Sequence, residues 1–358
     1  MFSISRKHVM AKTTMCEMCS TTLRSGVFLL TVLVASAVVT AAGCTGVPDR
    51  SQEARQLESS LSAMPGVTGA TVVYSNDFEN GRKISVTLSL PTATRQQVVD
   101  VVNTLNRVRG GSFSDYRRQE ITYRVQAFAM ECSAVDANGD PLDADAMSDA
   151  DALADEVVAL QKLSTTISAE MGWASCGGDN RTLTLRGAES SVPQVLAAVQ
   201  AADLGLTEVD MGFGSSETSV MNPLYGVTLR LPVSLQDWER VKGLVLGLDA
   251  TPRAVELGPG PAIRGLTVGV KSPASAYQQL STTITQLGGR GQNRLLLEWE
   301  LEDRDRETPN AKKFEGSVDI GGCEYRQNAM SEQQLEEFFT PEALEVKRRL
   351  RELYDTCP

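Results

Sequence analysis

The sequence has one histidine in 358 residues, His8, near the amino terminus. Downstream of it, Ser-His-Asp and Cys-His catalysis, histidine metal sites and histidine pH switching are excluded. Aromatic residues are scarce, at 5%. Lys and Arg number 34 against 45 Asp and Glu, a net charge of −11. A nucleic-acid partner needs a basic face for phosphates, so none is expected. There is no Walker A loop, no G-x-G-x-x-G behind a strand and no G-x-S-x-G. No cofactor is expected. Carboxylate-only chemistry such as glycoside hydrolysis survives these exclusions, but acids are too plentiful for any pair to stand out.

One long apolar run is present. Residues 26–43 read GVFLLTVLVASAVVTAAG, with Arg24 just ahead and Arg6, Lys7 and Lys12 upstream. A basic start, an apolar centre and a small-residue exit make a secretory signal. Ala41-Ala42-Gly43 leads directly into Cys44. In these residues the chain resembles bacterial membrane lipoproteins, whose lipobox ends in a cysteine. The Ala/Val/Gly-rich signal resembles those of high-GC Gram-positive bacteria. The resemblance covers only the start of the chain. It implies cleavage after Gly43, a diacylglyceryl group on the Cys44 thiol, and palmitate-type acylation of the new amino terminus. It places the protein as lipid-anchored on the extracytoplasmic face of a cell membrane. An uncleaved transmembrane helix is the alternative, with eighteen residues at the lower edge of a spanning length.

Cys16 and Cys19 form an isolated C-x-x-C without a second pair. Beyond Cys44 four cysteines remain: Cys132, Cys176, Cys323 and Cys357. An even number in an exported chain suggests disulfides, and three pairings exist. The four fall into two distant groups, which favours Cys132 with Cys176 and Cys323 with Cys357. Each bridge is worth about 4 kcal/mol in the chain-entropy account. Four buried free thiols are the alternative.

A grammar then recurs. Ile84, Val86, Leu88 and Leu90 alternate with Ser and Thr, Pro91 follows, and Thr94 with Gln97 makes a capping box. Val98, Val101 and Leu105 trace one helical face. The same order returns near Val227, with Ser234 as cap, and near Leu266, with Ser275 and Gln278 as cap. A weaker copy runs from Leu183 into Ser191 and Gln194. Strands at 71–74, 253–257 and 294–300 read as hairpin partners of strands at 84–90, 265–270 and 314–320. This predicts an α+β fold of tandem strand-strand-helix units, with ferredoxin-like split units as the template. Two similar lobes of antiparallel sheet covered by helices are expected. The divisions are 1–43 as signal peptide, 44–58 as lipidated cysteine and tether, 59–205 as the first lobe and 206–358 as the second.

The best local motif is Asp136, Asn138 and Asp140, spaced like the opening of a calcium loop. Pro141 stands where such loops want glycine, and Met147 where a closing carboxylate belongs. A solvated acidic loop is the stronger reading, and no metal is expected. Basic residues at Lys347, Arg348, Arg349 and Arg351 read as a solvated helix face. Trp173 and Trp299 read as core or sheet-face residues. The chain is therefore expected to be a lipid-anchored binding or structural module of the cell envelope, with a membrane contact and an unidentified protein or envelope partner. It is not an obvious enzyme. A carboxylate-dependent enzyme on envelope carbohydrate and a solute-binding lipoprotein are the alternatives. Cys44→Ala is expected to abolish acylation. Intact mass and detergent-phase partitioning check this, and a mutant still cleaved after Gly43 and held in the membrane contradicts it.

Overall fold

Alternating strands and 3.6-residue stripes combine into hairpins, each followed by a helix. The computed structural model describes residues 49–77, 81–114, 118–133, 149–176, 181–213, 224–289, 294–303, 312–322 and 332–355. The hairpins are β1 (Gly69–Asp77) with β2 (Gly81–Ser89), β3 (Arg118–Val125) with β4 (Phe128–Ser133), and β5 (Ala169–Ser175) with β6 (Thr182–Ala188). They continue as β7 (Glu208–Gly212) with β8 (Gly226–Arg230), β9 (Thr251–Leu257) with β10 (Ile263–Val270), and β11 (Leu295–Leu301) with β12 (Gly316–Ile320). Between them run α2 (Arg95–Arg109), α3 (Ala150–Thr166), α4 (Val192–Ala202), α5 (Leu235–Leu246) and α6 (Pro273–Gln286). Helix α1 (Ser51–Ser62) precedes the first hairpin, and α7 (Glu332–Phe338) and α8 (Pro341–Tyr354) follow the last.

The twelve strands form one sheet whose spatial order is the order of the chain. Each hairpin is antiparallel, and each crossover helix joins two neighbouring parallel strands, as β2 pairs with β3 and β4 with β5. Two expectations are corrected here. The ferredoxin-like template needs a strand inserted between the two that a helix connects, and no crossover does that. Nor do two antiparallel lobes form. The β6–β7 ladder, from Thr182 opposite Glu208 to Arg186 opposite Gly212, carries the sheet past the boundary placed at 205 and 206. Helix α1 also begins inside the segment read as tether, and it buries Ala54, Leu57 and Leu61.

The buried apolar rows of the strands share one face. One buried row runs Val125, Phe128, Gly172, Leu185, Met211, Val227, Val255, Leu266, Leu297 and Val318 across ten strands. Helices α1 to α6 and α8 place their buried residues in the same core cluster. On α3 these include Leu153, Val157, Leu160 and Leu163. A hairpin reverses strand direction, whereas the progression across the sheet never reverses. Keeping the crossover helices on one face therefore makes successive crossovers opposite in hand, against the usual right-handed preference. Uniformly right-handed crossovers would place helices on both faces. Here the second face carries none of these helices.

The helices start where local chemistry dictates. Thr94, Ser191 and Ser234 cap α2, α4 and α5 with reciprocal side-chain bonds. For α6 the cap is Ser272 with Pro273 in the first turn, not Ser275, because proline suits a position that needs no N–H donor. On α8, Ala343, Val346 and Leu350 face the core, while Leu353 is exposed. The sheet edges are covered by the terminal helices. Helix α1 packs on β1, where Glu58 accepts the Val72 N–H at 2.8 Å, and α8 packs on β12. Covered edges limit pairing with other chains.

Two core-facing glycines make room for rings. A Cβ on Gly172 would run into the Phe128 ring, and one on Gly316 into the Trp299 indole. Gly172→Ala is expected to cost about 1–3 kcal/mol by overpacking. Gly243, in α5 with open space around its Cβ position, is expected to gain about 0.5–1 kcal/mol as Gly243→Ala. Urea midpoints check both signs, and a Gly172→Ala protein as stable as the parent contradicts the packing account.

Candidate functional site

The face opposite the helices is the largest feature left uncovered by them. Its side chains are the alternate residues of every strand. Thr71, Thr87 and Thr122 stand in register on β1, β2 and β3. The next row runs Ser89, Arg124, Ala129, Trp173, Thr184, Asp210, Thr228 and Glu256. This face is therefore rich in hydroxyls, with charges of both signs. Several charges satisfy each other. Lys83 holds Glu120 at 2.7 Å, Arg230 holds Glu256 at 2.6 Å, and Thr228 donates to Asp210 at 2.9 Å. Towards β12, Arg294 makes a fork of bonds of 2.9 to 3.2 Å to Asp319, which is 2% exposed.

Trp173 is the one aromatic residue on this face among the described strand residues. Its neighbours across the strands are Ala129 and Thr184. Met171, two residues earlier on the same face, is 40% exposed and stands opposite Arg186. Glu131 lies on the same side of β4, opposite Thr122. Burial holds its carboxyl above the usual range, the like charge of Glu120 adds to the effect, and Arg124 offsets part of it.

The candidates read from sequence scatter. Cys132 and Cys176 are joined by a disulfide across the parallel β4–β5 pair, with a sequence separation of 44. Closing that loop is worth about 4 kcal/mol. Cys44, Cys323, Cys357 and the calcium candidates Asp136, Asn138 and Asp140 lie outside the described residues. Among the described residues no group of three or more His, Cys, Asp or Glu side chains is arranged to hold a metal ion. Among them too, no helix is long and apolar enough to cross a membrane. Trp299 is core, at 1% exposure, whereas Trp173 lies on the bare face.

The basic residues of α8 are engaged locally. Arg348 pairs with Glu345 and Glu352, Arg351 with Asp355, and the Arg349 guanidinium sits 3.5 Å from the Tyr277 ring centre. Lys347, half-buried beside Arg351, has its ammonium pushed below the ordinary lysine range, first by burial and then by that charge. A cavity of about 420 Å³ opens beside α5, lined by Val241, Leu244, Pro259, Pro261 and Leu287 with Arg240. Its lining contains no carboxylate.

Buried-face Tyr123 and bare-face Trp173 look alike in sequence, as aromatic residues inside strands. Register alone separates them, and the signal that could have done so is the polar company of Trp173: Ser175 on its own strand, Thr184 and Arg186 on the next. No protein-family model matches the chain, and no curated protein or solved structure shows significant similarity to it.

The raised carboxyl of Glu131 has a definite sign for stability. Its folded-state pKa lies above the unfolded value, so the charged form destabilises the fold above that folded value. The cost is relieved as pH falls through it. Glu131→Gln is therefore expected to raise the melting temperature at about pH 7.5 and to leave it unchanged at about pH 4. Equal shifts at both pH values in a thermal scan contradict the assignment.

Proposed function

We propose that this chain is a lipid-anchored binding module on the extracytoplasmic face of a cell membrane, and that the bare sheet face receives its partner from the cell envelope. The observation that carries the reading is that face: twelve adjacent strands present it, and the helices pack on the other side. The lipobox at Cys44 supports the location, and so does the Cys132–Cys176 disulfide, since such bonds persist in oxidising compartments. Six residues, 45–50, separate Cys44 from α1. At about 3.5 Å per residue, an acylated Cys44 keeps the start of α1 within roughly 20–25 Å of the bilayer.

Cysteine footprinting on intact cells tests this. Thr184→Cys lies on the bare face, and Gln200→Cys on the exposed side of α4. An impermeant maleimide is expected to label Gln200→Cys equally in cells and in purified protein. It is expected to label Thr184→Cys several-fold more slowly in cells. Equal labelling of Thr184→Cys in both settings overturns the binding-face reading, and failure to label Gln200→Cys in intact cells overturns the extracytoplasmic location.

A further inference from the structure

The bare face is not uniform, and one part of it is chemically unfinished. Lys83 and Arg230 each hold a carboxylate. Arg124 and Arg186, on either side of the β5 position of Trp173, make no such close pair, although Arg124 acts through space on its diagonal neighbour Glu131. No carboxylate among the described residues lies within 4.0 Å of either guanidinium. Both side chains are exposed. Arg124 shares a row with Ala129 and Trp173, and Arg186 is diagonal to Trp173 on the next strand. The small Ala129 leaves the indole and the Arg124 guanidinium with no large side chain between them in that row. A partly exposed indole on a hydroxyl-rich surface offers an apolar plane to a ligand.

Resting on the proposed binding face, we infer that the Trp173 patch is a subsite for a saccharide unit bearing an anionic group, a carboxylate or a phosphate. The C–H face of the sugar ring stacks on the Trp173 indole. The anion is met by Arg186, the guanidinium on the strand next to Trp173, whose planar fork matches both kinds of oxyanion, and Arg124 adds like positive charge from two strands away on the other side. Neighbouring hydroxyls of Thr122, Thr184 and Ser175 meet the sugar hydroxyls. Charge complementarity is local rather than global. The chain is net acidic at −11, so it repels polyanions in general and retains one only where exposed guanidiniums gather locally. A neutral glycan would leave the Arg186 guanidinium unanswered. A protein partner would need a larger apolar contact than Trp173 and Met171 provide.

Affinity electrophoresis of the full acylated protein in mild detergent tests this, with four gel-embedded probes. Alginate carries the carboxylate arm and phosphomannan the phosphate arm. Dextran is the neutral sugar, and linear polyphosphate is an anion without sugar. Retardation is expected with alginate or phosphomannan, and the arm that responds identifies the anion. It is expected to weaken with salt, as exposed ion contacts do. Trp173→Ala and Arg186→Gln are each expected to weaken it about tenfold, and Trp173→Phe to retain part of it. Thermal scans of each variant separate lost binding from lost folding. The inference is overturned by equal retardation in dextran or in polyphosphate, by retention that survives Trp173→Ala, or by no retardation in either glycan arm. If footprinting still shows Thr184→Cys protected in cells, the binding face stands and only the saccharide assignment falls, with a protein occupant indicated. If Thr184→Cys is unprotected, both fall together.

Discussion

A hairpin and a helix have nearly the same width. Two strands at about 4.8 Å each take up roughly 9.6 Å, and packed helices lie about 8–10 Å apart. One helix after every hairpin therefore tiles one face of the sheet without overlap. The rest of the structure depends on this match. It lets α2 pack on α3 and α3 on α4 while each covers its own strands. It also lets the unit repeat, because every addition buries an apolar stripe against a surface already prepared by its neighbour. The apolar stripe dominates the energetics. Each fully buried leucine of α3 contributes about 1.5–3 kcal/mol. The ion pairs of Arg95 with Asp151 and Asp155 are open to solvent, which screens them, so they add little beside it.

The same arrangement creates the uncovered face. Successive crossovers alternate in hand so that the helices stay together, and the opposite side of the sheet is left to water. The composition of that side is consistent with solvent contact: threonine and serine suit a pleated surface, and paired charges limit unmet charge. Against this background Arg124 and Arg186, which no carboxylate among the described residues approaches within 4.0 Å, and the partly buried Trp173 are departures from what solvation alone requires. Departures from local consistency are where function is expected to reside. The disulfide between Cys132 and Cys176 lies beneath the same strands, on the helix side, with Cys132 at 1% exposure. It ties β4 to β5, the two strands that carry Ala129 and Trp173, and so steadies the backbone on which the patch is mounted.

The amino-acid sequence by itself determined the repeating unit, because every signal in it is local. Period-2 alternation at Ile84, Val86 and Leu88 marks a strand whatever lies beside it. Thr94 with Gln97 caps a helix by bonds spanning three residues. Spacing alone paired Cys132 with Cys176, since neighbouring strands joined by one helix bring their ends together. Helix α1 was missed: Ala54, Leu57 and Leu61 lie on one face, but a short polar segment beside a presumed tether resembles a linker.

Only the tertiary structure decided how the units add. Sequence periodicity says that a strand has a buried face. It does not say which strand lies next to it, and so it left open one sheet of twelve or two lobes of fewer. Strand order and crossover hand depend on contacts between residues tens of positions apart, such as Gln161 of α3 donating to the Leu90 and Ala93 carbonyls. The same holds for the candidate site. Arg124, Ala129, Trp173 and Arg186 come from four strands and share no motif. What joins them is register, and a shift of one residue in any ladder would turn its side chains to the other face.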